Sequence, residues 1–103
     1  MADKAWKAFE RRIAHVFGGK RRGADTSDDR GGKTDVIHPF YAIECKLLGA
    51  PSFSKMLEAC RQAERNADEH QEPIAIVKRK SQGSSDDDAL VVMRLGTFKE
   101  WRL

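Results

Sequence analysis

The chain has 103 residues, 40% of them hydrophobic and 34% charged, with a net charge of +3 and a pI of about 9.0. That length suits one domain with one modest core, and no apolar run approaches the roughly 20 residues needed to span a bilayer. Two cysteines, Cys45 and Cys60, make neither a disulfide framework nor a zinc site, and no leader-like apolar segment opens the chain, so a reducing cytoplasm is the expected setting.

The elements follow in order. Residues 3 to 17 have the periodicity of a helix, with Asp3 as N-cap, Trp6, Phe9, Ile13, Val16 and Phe17 as its apolar face, and Gly18-Gly19 as its end. Glu10 falls on the margin of that stripe, where a carboxylate can reach under the helix toward a sheet. Residues 18 to 32 form a glycine-rich basic loop, GGKRRGADTSDDRGG, with room for a short strand near Lys20 to Arg22. Residues 33 to 38 and 40 to 48 read as a β-hairpin turning at His38-Pro39-Phe40. Pro51-Ser52 opens a second helix over 52 to 70, whose apolar face is Phe53, Met56, Leu57, Cys60, Ala63 and Ala67. Residues 73 to 80 and 89 to 95 read as two more strands, joined by a polar, solvated connection that contains Asp86, Asp87 and Asp88. Residues 97 to 102 suit a short terminal helix whose Phe98 and Trp101 pack back on the core or build a dimer contact. The order α-β-β-α-β-β predicts an α+β fold with a central mixed sheet flanked by helices, in a single domain over 1–103.

Charge is distributed unevenly. Without the Asp86–Asp88 block the net charge of +3 would double, and the basic residues gather at Lys20-Arg21-Arg22 and Lys78-Arg79-Lys80. A basic surface of this kind favours a polyanion as partner. Arg61 and Arg65 lie one helical turn apart, where they can meet phosphate or pair with Glu58, Glu64 and Glu69.

The hairpin carries the chemistry. Alternation along a strand puts Glu44 and Lys46 on one face and Cys45 on the other. Antiparallel pairing brings Asp35 beside Glu44. Two adjacent carboxylates repel unless one is protonated or a cation joins them. A divalent ion with oxygen ligands resolves the conflict, and Mg²⁺ suits such a site because it keeps several waters and shares phosphate oxygens. The lysine then holds or polarises a water, or offsets charge on a phosphoryl transition state. The plainer reading makes Asp35, Glu44 and Lys46 a cross-strand cluster on the exposed face of an edge strand. His38 reads as a turn residue, Trp6, Cys45 and Cys60 as core.

Asp35 followed by Glu44-Cys45-Lys46 resembles the PD-(D/E)xK nuclease signature. With Glu10 on the preceding helix, the glycine-rich basic loop and the stretch YAIECKLL, nearly the whole chain is similar in element order to archaeal-type Holliday-junction resolvases, which also occur in phages. The resemblance implies a restriction-endonuclease-like fold and a homodimer that nicks two opposing strands of a four-way DNA junction in a bacterial, archaeal or phage-infected cell. It implies Mg²⁺, with Mn²⁺ able to substitute, bound by Glu10, Asp35, Glu44 and the Cys45 carbonyl, and Lys46 as the catalytic lysine. Arg11, Lys20, Arg21, Arg22, Arg30 and Lys55 are then the expected DNA contacts. Thr34 stands where many members of that family have proline. Gln62 is placed nearly opposite the apolar face of its helix and is given no role in the site. The alternatives are another nuclease of the superfamily, acting on flaps, ends or restriction-type sites, or a DNA-binding module whose carboxylates are structural.

Overall fold

The computed structural model describes residues 4–22, 34–80 and 85–103. Helix α1 (Ala5–Phe17) leads into β1 (Lys20–Arg21), β2 (Val36–Ile37) and β3 (Tyr41–Leu48). Helix α2 (Phe53–Asn66) then connects to β4 (Glu72–Arg79), a single 3-10 turn (Asp86–Asp88), β5 (Leu90–Val92) and α3 (Leu95–Arg102). The fold is α+β, and its five strands form one mixed sheet in the order β1-β2-β3-β4-β5. Strand β2 runs antiparallel to both β1 and β3, β4 lies parallel to β3, and β5 is antiparallel to β4. A parallel pair needs a long crossover, and α2 supplies it.

The central strands β3 and β4 are covered on both faces. On one face Phe9, Ile13 and Ala14 of α1 pack on Val36, Ile43, Cys45, Ile74 and Ile76. On the other, Ala59 and Cys60 of α2 pack on Ala75 and Val77. Residues of β4 alternate strictly between these two cores, as strand geometry requires. The second core is built from small side chains, with Ala59, Ala63 and Ala75 fully buried.

Both long helices are rotated about their axes from the faces expected of them. On α1 the buried residues are Phe9, Glu10, Ile13 and Ala14, while Trp6 and Val16 stand 46% and 69% exposed. On α2 they are Ala59, Cys60 and Ala63; Phe53 is exposed, and Gln62 is half-buried instead of facing away. The expected N-cap Asp3 and the loop residues 23–33 lie outside the described residues, and Lys4 occupies the cap position without a side-chain bond. Ser52 does cap α2, accepting from the Lys55 N–H.

The ends of the chain differ from expectation in a related way. Phe98 and Trp101 are 43% and 38% exposed, so α3 is not seated by its aromatic rings. It is held by two forked ion pairs, Arg94 on Glu64 (2.7 and 2.8 Å) and Arg102 on Glu72 (2.7 and 3.1 Å), with Thr97 Oγ1 donating to Glu64. Asp86 is no bare solvated tip either: it accepts Arg12 Nε at 2.7 Å and the buried Lys78 Nζ at 2.7 Å, tying α1 to β4. Among the described residues no helix is long and apolar enough to cross a membrane.

Two glycines set the entry to β1. Gly18 closes α1 at φ 69°, a left-handed conformation that glycine adopts at least cost. Gly19 runs so close to β2 that a Cβ there would sit 2.7 Å from the Ile37 carbonyl oxygen and 2.9 Å from Val36 Cγ1. The carbonyl cannot swing aside without disturbing the β1–β2 pairing. Gly19→Ala is therefore expected to cost about 2 kcal/mol, lowering the thermal midpoint by roughly 10 °C. A circular-dichroism melt equal to that of the parent protein would refute it.

Candidate active site

The hairpin sequence puts its polar residues where β2 stops and β3 continues. Asp35 stands one residue before β2, gripped on both sides by backbone. Its N–H donates to the Ile43 carbonyl (3.1 Å) and its carbonyl accepts the Arg22 N–H (2.9 Å). Its carboxylate is aimed at β3, where Oδ2 accepts the Cys45 N–H at 2.8 Å. The even-numbered residues of β3 turn their backbone groups to β4, as the bonds at Phe40 and Leu48 show. The N–H and C=O of one strand residue point the same way. The Cys45 carbonyl therefore faces the Asp35 side of β3, beyond the end of β2.

Glu44 is fully buried, on the middle strand of five. That disposes of the exposed edge-strand reading. Its Oε1 accepts a hydrogen bond from Asn66 Nδ2 at 3.1 Å, and its Oε2 has no partner among the described residues. Burial first, and then the Asp35 charge, push the Glu44 carboxyl up to about 8, against a smaller opposing pull from Asn66. In the absence of a cation, a proton on Glu44 relieves the repulsion and gives Asp35 a hydrogen bond.

Glu10 arrives from the opposite face of the sheet, on α1, and is 8% exposed. Its Oε1 accepts Arg21 Nε at 2.9 Å. Burial and the nearby Asp35 raise its pKa, partly offset by Arg21 and by Lys46. The Lys46 ammonium thus lies close enough to both Glu10 and Glu44 to favour their ionised forms. The Cys45 thiol lies in the α1 core and is pushed up by burial and by the surrounding carboxylates, Asp35 foremost, so it is an inert core group. Both cysteines are unpaired with each other and buried.

Glu10, Asp35, Glu44 and Lys46 therefore meet electrostatically where β2 stops and the central strand β3 continues. They do not yet form a closed cage: among the described residues no three Asp, Glu, His or Cys side chains are gathered tightly enough to hold a metal ion. Arg21 holds Glu10, and the Cys45 N–H holds one oxygen of Asp35. The donor set nonetheless fits a hard divalent cation. It consists of oxygen ligands, one of them the orphaned Oε2 of a buried carboxylate, and an orphan of that kind calls for a proton or an ion.

The expected DNA contacts divide. Arg21 is engaged with Glu10 and stacks 5.8 Å from the Trp6 ring centroid. Arg22 donates to the Thr34 carbonyl (2.7 Å) and hydroxyl (3.3 Å), which fastens the strand leading to Asp35. Lys20 and Arg11 lie on the exposed surface beside α1 and β1. Lys55 is exposed on α2, with Nζ 3.4 Å from the Ala50 carbonyl. Arg30 lies outside the described residues. Arg65 pairs with Glu58 at 2.8 Å, and His38 is a structural turn residue, its Nδ1 accepting the Phe40 and Tyr41 N–H groups while Nε2 meets the Phe17 carbonyl.

Sequence reasoning missed Asn66. The signal was present, since Asn66 lies three residues after Ala63 and seven after Ala59, on the face that α2 buries. A separate apolar groove of about 540 Å³ between α2 and β5, lined by Phe53, Met56, Leu57, Cys60, Val92 and Leu95 among others, shares none of the carboxylate cluster. Comparison with protein-family models, with curated proteins and with solved structures returns no match.

Proposed function

We propose that this protein is a Mg²⁺-dependent, structure-selective endodeoxyribonuclease of restriction-endonuclease-like fold, resolving four-way DNA junctions. One observation carries the reading: a fully buried glutamate on the central strand, set against an aspartate and beside a lysine where β2 ends. Two carboxylates meeting at that depth need a shared proton or a cation, and the oxygen donors and lysine beside them suit the cation.

Asp35 and Glu44, with the Cys45 carbonyl, would hold the ion, and Glu10 would complete the set. Bound there, Mg²⁺ would lower the pKa of a coordinated water and neutralise charge on the scissile phosphate. Lys46, on the same face of β3 as Glu44, orients the attacking water and offsets charge at the phosphorus. Asn66 holds Glu44 in the rotamer that leaves Oε2 turned to Asp35. Lys20, Arg11 and Lys55 contribute exposed positive charge for the phosphate backbone, contacts that position DNA without reading bases. Resolving a junction takes two symmetric cuts, and a two-fold dimer of a one-site domain provides them.

The test is cleavage of a synthetic four-way junction, a duplex and a flap, each with Mg²⁺ or with EDTA. Paired symmetric nicks in the junction alone, lost in EDTA, support the proposal. Cutting of flaps or ends alone reassigns the substrate within the same chemistry. Binding without metal-dependent cutting leaves a DNA-binding module.

A further inference from the structure

The residue that holds Glu10 has the character of a substitute cation. Arg21 is the second residue of β1, and its guanidinium bonds Glu10 at 2.9 Å with both side chains largely buried. Glu10 is 8% exposed, and a carboxylate buried to that depth stays ionised only beside a positive group that offsets its charge. Arg21 offsets it from the α1 side of the sheet. The same guanidinium rests 5.8 Å from the Trp6 ring centroid, one helical turn before Glu10, so one side chain bridges the carboxylate and an aromatic ring. Trp6 is about half exposed, which leaves a route for the guanidinium to move outward.

Building on the nuclease reading, we propose that Arg21 is a positioning residue that stands in for the divalent cation at Glu10 and yields the carboxylate when the ion binds. A guanidinium and a divalent cation cannot both neutralise one buried carboxylate at full strength, so the two compete. Without the ion, Arg21 keeps the Glu10 carboxylate ordered on the α1 side of the sheet. On release, Arg21 turns toward solvent beside Lys20 and becomes available to a DNA phosphate, which couples ion binding to substrate binding.

The experiment measures Mn²⁺ binding by electron paramagnetic resonance in the unmodified protein, in Arg21→Gln and in Arg21→Lys, with folding checked by circular dichroism. Arg21→Gln should bind Mn²⁺ about three- to tenfold more tightly, the scale of one partly exposed ion pair, and Arg21→Lys should stay near the parent. Adding Glu10→Gln to Arg21→Gln should erase the gain. A merely structural arginine would give weaker or unchanged binding in Arg21→Gln, and that result overturns the proposal. A second readout keeps Arg21 intact. In a Trp101→Phe background Trp6 is the only tryptophan, and its emission should change saturably with Mg²⁺ at constant ionic strength. Emission indifferent to Mg²⁺ while Mn²⁺ binds shows that Arg21 stays in place, and refutes the exchange but not the nuclease. Absence of both metal binding and cutting in the unmodified protein removes the two together.

Discussion

Glu44→Gln and Asp35→Asn are each expected to lower junction cutting by on the order of 10³-fold while leaving DNA binding unchanged or tighter. Both substitutions keep the shape and most of the hydrogen bonding. A glutamine oxygen at 44 still accepts Asn66 Nδ2, and an asparagine oxygen at 35 still accepts the Cys45 N–H. What each removes is one negative charge from the group that would hold the ion, and with it one source of repulsion toward DNA phosphate. Nicking gels with Mg²⁺, paired with mobility-shift binding in EDTA, separate the two effects. Lys46→Ala should cut poorly yet still bind Mn²⁺, because in the proposed mechanism the lysine serves the water and the phosphate and does not ligate. Glu44→Gln that nicks at the parent rate would show the site to be misassigned.

The same substitution should reverse sign in a stability measurement. Glu44 has its carboxyl raised from an ordinary 4.5 to about 8 in the folded protein. Between those values the folded state binds a proton that the unfolded state has released, so stability falls as pH rises. The contribution is complete below about pH 4.5, declines by about 1.4 kcal/mol per pH unit through the window, and is gone above about pH 8. Across the window the loss is roughly 5 kcal/mol. Asp86 and Glu64 behave oppositely. Arg12 holds Asp86, and Arg94 holds Glu64, below the usual carboxylate range, so their stabilisation is lost only on acidification below about pH 4. Glu10, also raised by burial and by Asp35, acts in the same direction as Glu44, so the Glu44 effect is read as the difference between parent and Glu44→Gln at each pH. Metal-free Glu44→Gln should match the parent near pH 5 and exceed it by several kcal/mol at pH 9 in urea denaturation, because glutamine mimics the protonated acid and cannot ionise. Equal pH dependence in the two proteins would mean that Glu44 is not held in a dry, charge-repelled position. A residue whose ionised form destabilises the fold and whose loss stops cutting is one kept for function.

The amino-acid sequence by itself determined the elements and their types. The period-two run through YAIECKLL marks a strand, the 3.6-residue repeat on either side marks two helices, and Gly18 and Ser52 mark a helix end and a helix start at positions the structure bears out. It also brought Asp35 within reach of Glu44 through hairpin pairing, since strand alternation is a local property of the backbone. Tertiary packing decided which face of each helix is buried. Hydrophobicity alone turns Trp6 and Val16 inward on α1 and Phe53 inward on α2; in the fold those side chains stand in solvent, and Glu10 and Asn66 face the sheet. The side chains on the α2 side of β4 are small, so a helix bearing Ala59, Ala63 and Asn66 approaches where one bearing Phe53 could not, and the space left beside Ala75 accommodates Glu44. Ion pairs between distant residues, Arg12 with Asp86, Arg94 with Glu64 and Arg21 with Glu10, carry no periodic signal at all. They exist only once the sheet has brought its flanking elements together, because a charge finds its partner by proximity in space and not by spacing along the chain.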